Sequence, residues 1–403
     1  MSTSTATLTI EDATRQSLAT GTAGTALLHI EKALTGSTDW VIAHAHVRQA
    51  VAGPIDAGAH AGLYYGAPAI GFMLHAASSG GCSRYRSAAT ALDASVLRLA
   101  RRRVALATAR MERGESATFG EYDLFYGLTG IGALLLHRMP GSDTLADILR
   151  YLICLTRPRH DDGIDLPGWW VAHDPDPILP TPGGHANFGI AHGAAGLLAL
   201  LALAASRGCL IDAQHEAIED LCAWFDRWQQ DSSVGPWWPQ WVTCEELRTG
   251  RLACTSPGWP SWCYGAVGIA RALQLAGIAT GDPRRRMAAE DAMAACLTDQ
   301  QLDRITEAGL CHGMAGVYQT AYRAAQDAHN PAIGQRLLAV AEALTRHAAA
   351  QHRKTGQHSK TAQDRRAGQS GLLTGDAGVA LALETMRQSK PPRSGWDACL
   401  LIT

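Results

Sequence analysis

The sequence lacks an apolar run long enough to cross a bilayer. Its most apolar stretch, Gly193 to Ala205, is closed by Ser206 and Arg207, well short of the roughly 20 residues that a spanning helix needs. It also lacks a basic run, and its formal charge is only -2, which argues against nucleic acid as a partner. Met1 to Asp12 is polar and Ser/Thr-rich, without the basic and apolar regions of a secretory signal. The ten cysteines are scattered along the chain, so the dense spacing of a disulfide framework is missing too. These absences predict a cytoplasmic protein with reduced thiols that is not an integral membrane protein. With 403 residues, 47% of them apolar, the chain can bury a large core, and one domain over 1–403 is expected.

What is present is a repeat. A Gly-x-x-Gly element starts at Gly21, Gly127, Gly193, Gly265, Gly313 and Gly375, and a variant, Gly66-Ala-Pro-Ala69, makes a seventh copy. Successive copies lie 45, 61, 66, 72, 48 and 62 residues apart, room for two helices and their loops. Apolar runs such as GALLLH and LLALLALAA follow the glycines. Amphipathic runs such as DAQHEAIEDLCAWFDRW lie between copies. Buried helices alternating with surface helices predict an all-α, double-layered α/α toroid of seven inner and seven outer helices. An open solenoid satisfies the same period. In either case the glycines gather at one end of the inner helices.

Two segments interrupt the pattern. Residues 157–185 are rich in Pro, Gly and Asp, and 229–262 carry Trp237, Trp238, Trp241, Trp259 and Trp262. Long loops on a compact scaffold line functional sites, although indoles also pack loops down. A polar stretch, 352–369, reads as a loop or linker.

Two strings carry chemistry: Trp262-Cys263-Tyr264-Gly265 and Leu310-Cys311-His312-Gly313. Each sets soft ligands just before a repeat, and closing the ring makes those repeats neighbours. Cys263, Cys311 and His312 supply three corners of a tetrahedral Zn²⁺ site, and the open fourth corner marks a catalytic metal. Two thiolates and a neutral imidazole cancel the charge of the ion. A substrate thiol bound at the fourth corner would be deprotonated outright. His192, just before Gly193, and Asp123, four residues before Gly127, would face the same mouth. For these two, loop packing and helix capping are the plain alternatives to proton transfer.

These residues resemble those of the lanthionine synthetase C-like family, the cyclases of class I lanthipeptide biosynthesis. The resemblance runs through all seven glycine elements. It is carried most specifically by His185-Ala-Asn-Phe-Gly-Ile-Ala-His-Gly193, Ser261-Trp-Cys-Tyr-Gly265, Cys311-His-Gly313 and Leu373-Thr-Gly-Asp-Ala-Gly378. It implies a helical toroid that adds peptide cysteines to dehydroalanine or dehydrobutyrine, closing (methyl)lanthionine thioether rings. It implies zinc on Cys263, Cys311 and His312, acid/base work for His192 with Asp123 assisting, and a site role for Tyr264. The implied partners are a dehydrated precursor peptide and a dehydratase. Trp259 departs from the pattern, since family members commonly carry Arg four residues before the first zinc cysteine. That departure leaves a second expectation open: a weakly active or non-catalytic zinc-bearing subunit that binds and scaffolds the peptide. Prenyltransferase β-subunits, also toroids with a thiolate-activating zinc, usually include an acidic ligand, which the trio here lacks.

Overall fold

The computed structural model describes residues 8–403 except 82, 162, 177 and 359–370. Seven apolar helices follow the seven glycine elements: Thr22–Leu34, Gly66–Ala77, Leu128–Arg138, Ala194–Ser206, Ala266–Thr280, Met314–Asp327 and Asp376–Gln388. They form the inner layer. In the fourth, every residue from Ala194 to Ala204 is buried, and burying each such leucine contributes about 1.5–3 kcal/mol. Six longer-range partners stand outside them: Trp40–Ala50, Arg86–Glu112, Asp143–Thr156, Gln214–Trp228, Pro283–Cys296 and Ala332–His358. These alternate buried with exposed residues and start on explicit caps where the sequence supplies one. Ser142 accepts from the Leu145 N–H, and Asp282 accepts from the Arg284 and Arg285 N–H groups ahead of Pro283.

Hydrogen bonds between the loops that precede the inner helices show that the ring is closed. Leu18 N–H donates to Tyr64 O, Tyr64 to Phe125, Leu124 to Ala191, Ala191 to Cys263, Cys263 to Cys311, and Leu310 to Leu373. Leu372 N–H then donates back to Leu18 O at 3.0 Å. Each loop gives an N–H to the next in the same rotational sense, and the seventh gives to the first. This circuit excludes the open solenoid.

The second glycine of the repeat has a steric cause. The loop carbonyl six residues earlier lies over the first helical turn, and a Cβ would stand 1.9 Å from it at Gly316 (Leu310 O) and at Gly378 (Leu372 O). We predict that Gly316→Ala destabilises the protein by about 3 kcal/mol. Gly141→Ala, where a Cβ meets nothing within 4 Å, should change little. Thermal melts of the two variants check this, and equal melting temperatures would remove the steric explanation.

Beyond the seventh inner helix the chain does not form a further outer helix among the described residues. It enters the ring as a short 3-10 helix, Trp396–Leu400, and turns at Leu401 (φ 55°). The buried Asp397 carboxylate accepts from Arg323 and Gln319 of the sixth inner helix. Arg271 of the fifth donates to Ile402 O and Asp327. Tyr64 OH donates to Cys399 O and Trp262 Nε1 to Leu400 O, at 2.9 and 3.0 Å. Buried charges tolerate burial only when bonded in this way. The loop residues at the mouth therefore rest on this internal segment.

The long loops contain short strands that the sequence reading did not anticipate. β1 (Arg159–Asp161) pairs with β2 (Ile164–Leu166). β3 (His185–Asn187) pairs with β4 (Trp241–Thr243), tying the first long loop to the second. Residues 83–118 hold mainly the single helix Arg86–Glu112. Of the polar stretch 352–369, residues 352–358 continue the last outer helix, and 359–369 fall outside the described residues. No described helix is long and apolar enough to cross a membrane.

Candidate metal centre and active site

Ring closure brings together the three ligands separated in sequence. The ligand atoms of Cys263, Cys311 and His312 all lie within 4.8 Å of one another. The backbone bond from Cys263 N–H to Cys311 O, 3.2 Å, is one link of the circuit, so the ring itself sets the spacing of the two thiols. Both cysteines also lie just ahead of an inner-helix N-terminus, where the helix dipole favours a thiolate.

The electrostatics suit a cation. The Cys263 thiol is pulled below its ordinary range, first by a hydrogen bond from Cys311 and further by His312 and Ser261, against the effect of burial. Cys311 is pushed up by its hydrogen bond to Cys263, by burial and by the neighbouring negative charge. The pair therefore holds one negative charge readily and resists a second, a conflict that a divalent ion removes. His312 is raised by its bond to Cys263 and by the Glu307 charge. Its Nε2 sits 2.8 Å from Glu307 Oε2, which leaves Nδ1 for the thiol side. A carboxylate behind a ligating imidazole fixes its tautomer and strengthens it as a donor. Glu307 was not singled out in the sequence, and its only signal there is an acid five residues ahead of the histidine. The donor set fits Zn²⁺: two sulfurs, one nitrogen and no carboxylate among them.

The structure also joins His192 to Asp123. His192 Nδ1 is 2.6 Å from Asp123 Oδ2, and the Asp123 side chain is fully buried. Asp123 Oδ1 meanwhile accepts from the Tyr126 and Gly127 N–H groups at 2.7 and 2.9 Å. The carboxylate thus holds the turn that leads into the third inner helix with one oxygen and the imidazole with the other. Phe119 stacks on His192 at 5.0 Å, Phe125 meets it edge-on at 4.9 Å, and Tyr122 OH donates to the His192 carbonyl. These aromatic supports come from the third repeat and have no motif that marks them in advance.

Tyr264 lies between the two groups. It follows Cys263 directly, and its ring is 5.9 Å from that of His192. Burial, with the nearby Cys263 charge, pushes its phenol well above the ordinary range, so it keeps its proton. Trp259 is 53% exposed and stands on a cleft wall.

A helical toroid with a Cys-Cys-His cluster and a His–Asp pair at one mouth is a defined class of architecture, and comparison with known proteins gives its family. The chain belongs to the lanthionine synthetase C-like family, whose model, described as "Lanthionine synthetase C-like protein", matches residues 12–401. It is similar to the nisin biosynthesis protein NisC of Lactococcus lactis subsp. lactis, with 24% identity over 212 residues. That alignment covers 51% of this chain and about half, 49%, of the relative. The solved structure of a nisin cyclase superposes with a TM-score of 0.77 at 19% identity, covering 96% of this chain and 92% of that one. The fold is therefore the α/α toroid of that cyclase.

Proposed function

We propose that the chain is a zinc-dependent lanthipeptide cyclase. The observation that carries this reading is the meeting of Cys263, Cys311 and His312 within 4.8 Å at the mouth that also holds the His192–Asp123 pair. Family membership supports the same conclusion. In this reading Cys263, Cys311 and His312 hold Zn²⁺, with Glu307 behind His312. Bound there, the ion supplies a Lewis acid that keeps a peptide thiol deprotonated near neutral pH.

The overall addition is balanced. The peptide sulfur bonds to the β-carbon of a dehydroalanine or dehydrobutyrine, and the α-carbon gains a proton. This chain's residues manage the second half. Asp123 engages His192 Nδ1, which leaves Nε2 as the nitrogen that moves the proton. The face from which it arrives sets the stereochemistry at that carbon. Tyr264, held protonated, is a hydrogen-bond donor placed to steady the carbonyl oxygen as charge develops. That role matters more here because Trp259 brings no charge. The substrate's dehydrated residues must come from Ser and Thr, so a dehydratase acts earlier on the same peptide. The nine described cysteines are all free, which accords with a reducing cytoplasm.

The test is to incubate a dehydrated precursor peptide with the purified full chain and follow loss of free thiol by alkylation and mass spectrometry. Thiol loss that needs zinc is expected. Undiminished ring closure by metal-free protein would sink the reading. Peptide binding without rate enhancement would assign the chain to the scaffold role that Trp259 raises.

A further inference from the structure

The second long loop encloses a cavity of about 470 Å³ whose lining includes Tyr264. Its walls are Trp237, Trp238, Trp241 and Trp259 together with Pro236, Pro239, Pro257 and Pro260. Trp237 and Trp238 are buried, and the Trp238 indole is fixed by its bond to Phe225 O. Trp241 is held in β4 by its pairing with Asn187. The indole walls are thus pre-formed, at a volume ordinary for a ligand site.

The cleft offers no ionic anchor. No Lys or Arg lines it, and its one charged residue is Glu246. The Glu246 oxygens are taken by Thr243 and by the Ala253 N–H. Arg304, nearby, is turned onto Pro257 O and Gln301. Rigid indole and proline faces without charge select apolar side chains, aromatic ones above all.

Continuity with the reaction site identifies the occupant. Tyr264 is at once a cleft wall, the residue after Cys263, and a neighbour of His192. On the other side, Trp241 meets His185 edge-on at 6.0 Å, and His185 meets Phe119, which stacks on His192. Because Tyr264 is both a cleft wall and the residue after Cys263, a peptide with its cysteine at the metal ligands would bring its flanking residues toward this opening, at about 3.3 Å per residue of extended chain.

We propose that this Trp/Pro cleft is a specificity subsite that takes an apolar, preferably aromatic, side chain next to the reacting cysteine of the substrate peptide. The proposal rests on the cyclase reading and adds the substrate class to it. Trp259, the residue that departs from the family pattern, becomes the outer wall of the pocket.

The experiment uses two capped hexapeptides, each with one cysteine and no dehydrated residue, so that neither can react. One carries Phe beside the cysteine and the other Ala. Calorimetric titration of the zinc-loaded full chain is expected to show the Phe peptide binding about 10- to 100-fold more tightly, with the ratio unchanged between low and high salt. Trp259→Ala, at a half-exposed position, should bring the ratio below about threefold, and Ala253→Trp, which fills the opening from the rim, should do the same. Equal binding of both peptides by the wild type would overturn the proposal, as would an intact preference in both variants. Concentration-dependent self-association lost in Trp259→Ala would overturn it too, making the cleft a contact between copies. Failure of the cyclase reading is separately visible, because a preserved Phe preference with no ring closure leaves the subsite standing.

Discussion

Replacing Cys311 with alanine is expected to remove both the metal and thioether formation. The wild-type chain should carry about one Zn²⁺, and the variant close to none, by atomic emission. Ring closure should fall by more than about 100-fold, since even outer-shell changes at metal sites cost 10–100-fold. The fold should survive, because the link that Cys311 contributes to the ring is its backbone carbonyl accepting from Cys263 N–H, which alanine preserves. The melting curve of the metal-stripped wild type is therefore the proper reference. Glu307→Gln is the graded companion. It keeps all three ligands but loses the carboxylate 2.8 Å behind His312, so metal retention against a chelator should weaken by about 10–100-fold. A Cys311→Ala protein that retained full zinc and full rate would refute the metal assignment.

Asp123→Asn should lower the rate by about 10²–10⁴-fold while leaving metal content and stability near wild type. The two roles of Asp123 separate in this variant. The asparagine oxygen still accepts from Tyr126 and Gly127 N–H, so the turn ahead of the helix keeps its bonds. Its amide nitrogen, however, now faces His192 Nδ1 as a donor and holds the imidazole in the other tautomer. Asp123→Ala removes these turn bonds as well and should cost about 1–3 kcal/mol of stability in addition. His192→Asn should match the rate loss of Asp123→Asn. An unchanged rate in Asp123→Asn would mean that the 2.6 Å contact only packs the loop.

The sequence exposed the repeat because its glycines answer a local demand, a carbonyl lying against the helix start in six of the seven copies. It exposed the metal ligands because chemistry restricts them to a few residue types beside those glycines. Ring closure was beyond it, since an identical period serves a solenoid, and only the bond from Leu372 back to Leu18 separates the two. Glu307, Phe119 and Phe125 stayed hidden for a related reason: each acts through a neighbour supplied by the fold. The strands β3 and β4 escaped notice because three-residue ladders carry no periodicity. The segment Trp396–Leu400 has little internal pattern, and its burial is created by Arg323, Gln319, Tyr64 and Trp262 from elsewhere in the chain.

A solenoid can lengthen or shorten by one unit at either end and remain foldable. The circuit of loop hydrogen bonds denies that freedom. Excising one repeat would leave a donor and an acceptor facing across a gap, with every other seam set at the angle for seven. Duplication and deletion of units, the usual route by which repeat proteins diversify, are thereby closed to this architecture. Change is channelled into what hangs from the ring: the long loops, the cleft they enclose, and the residue at 259.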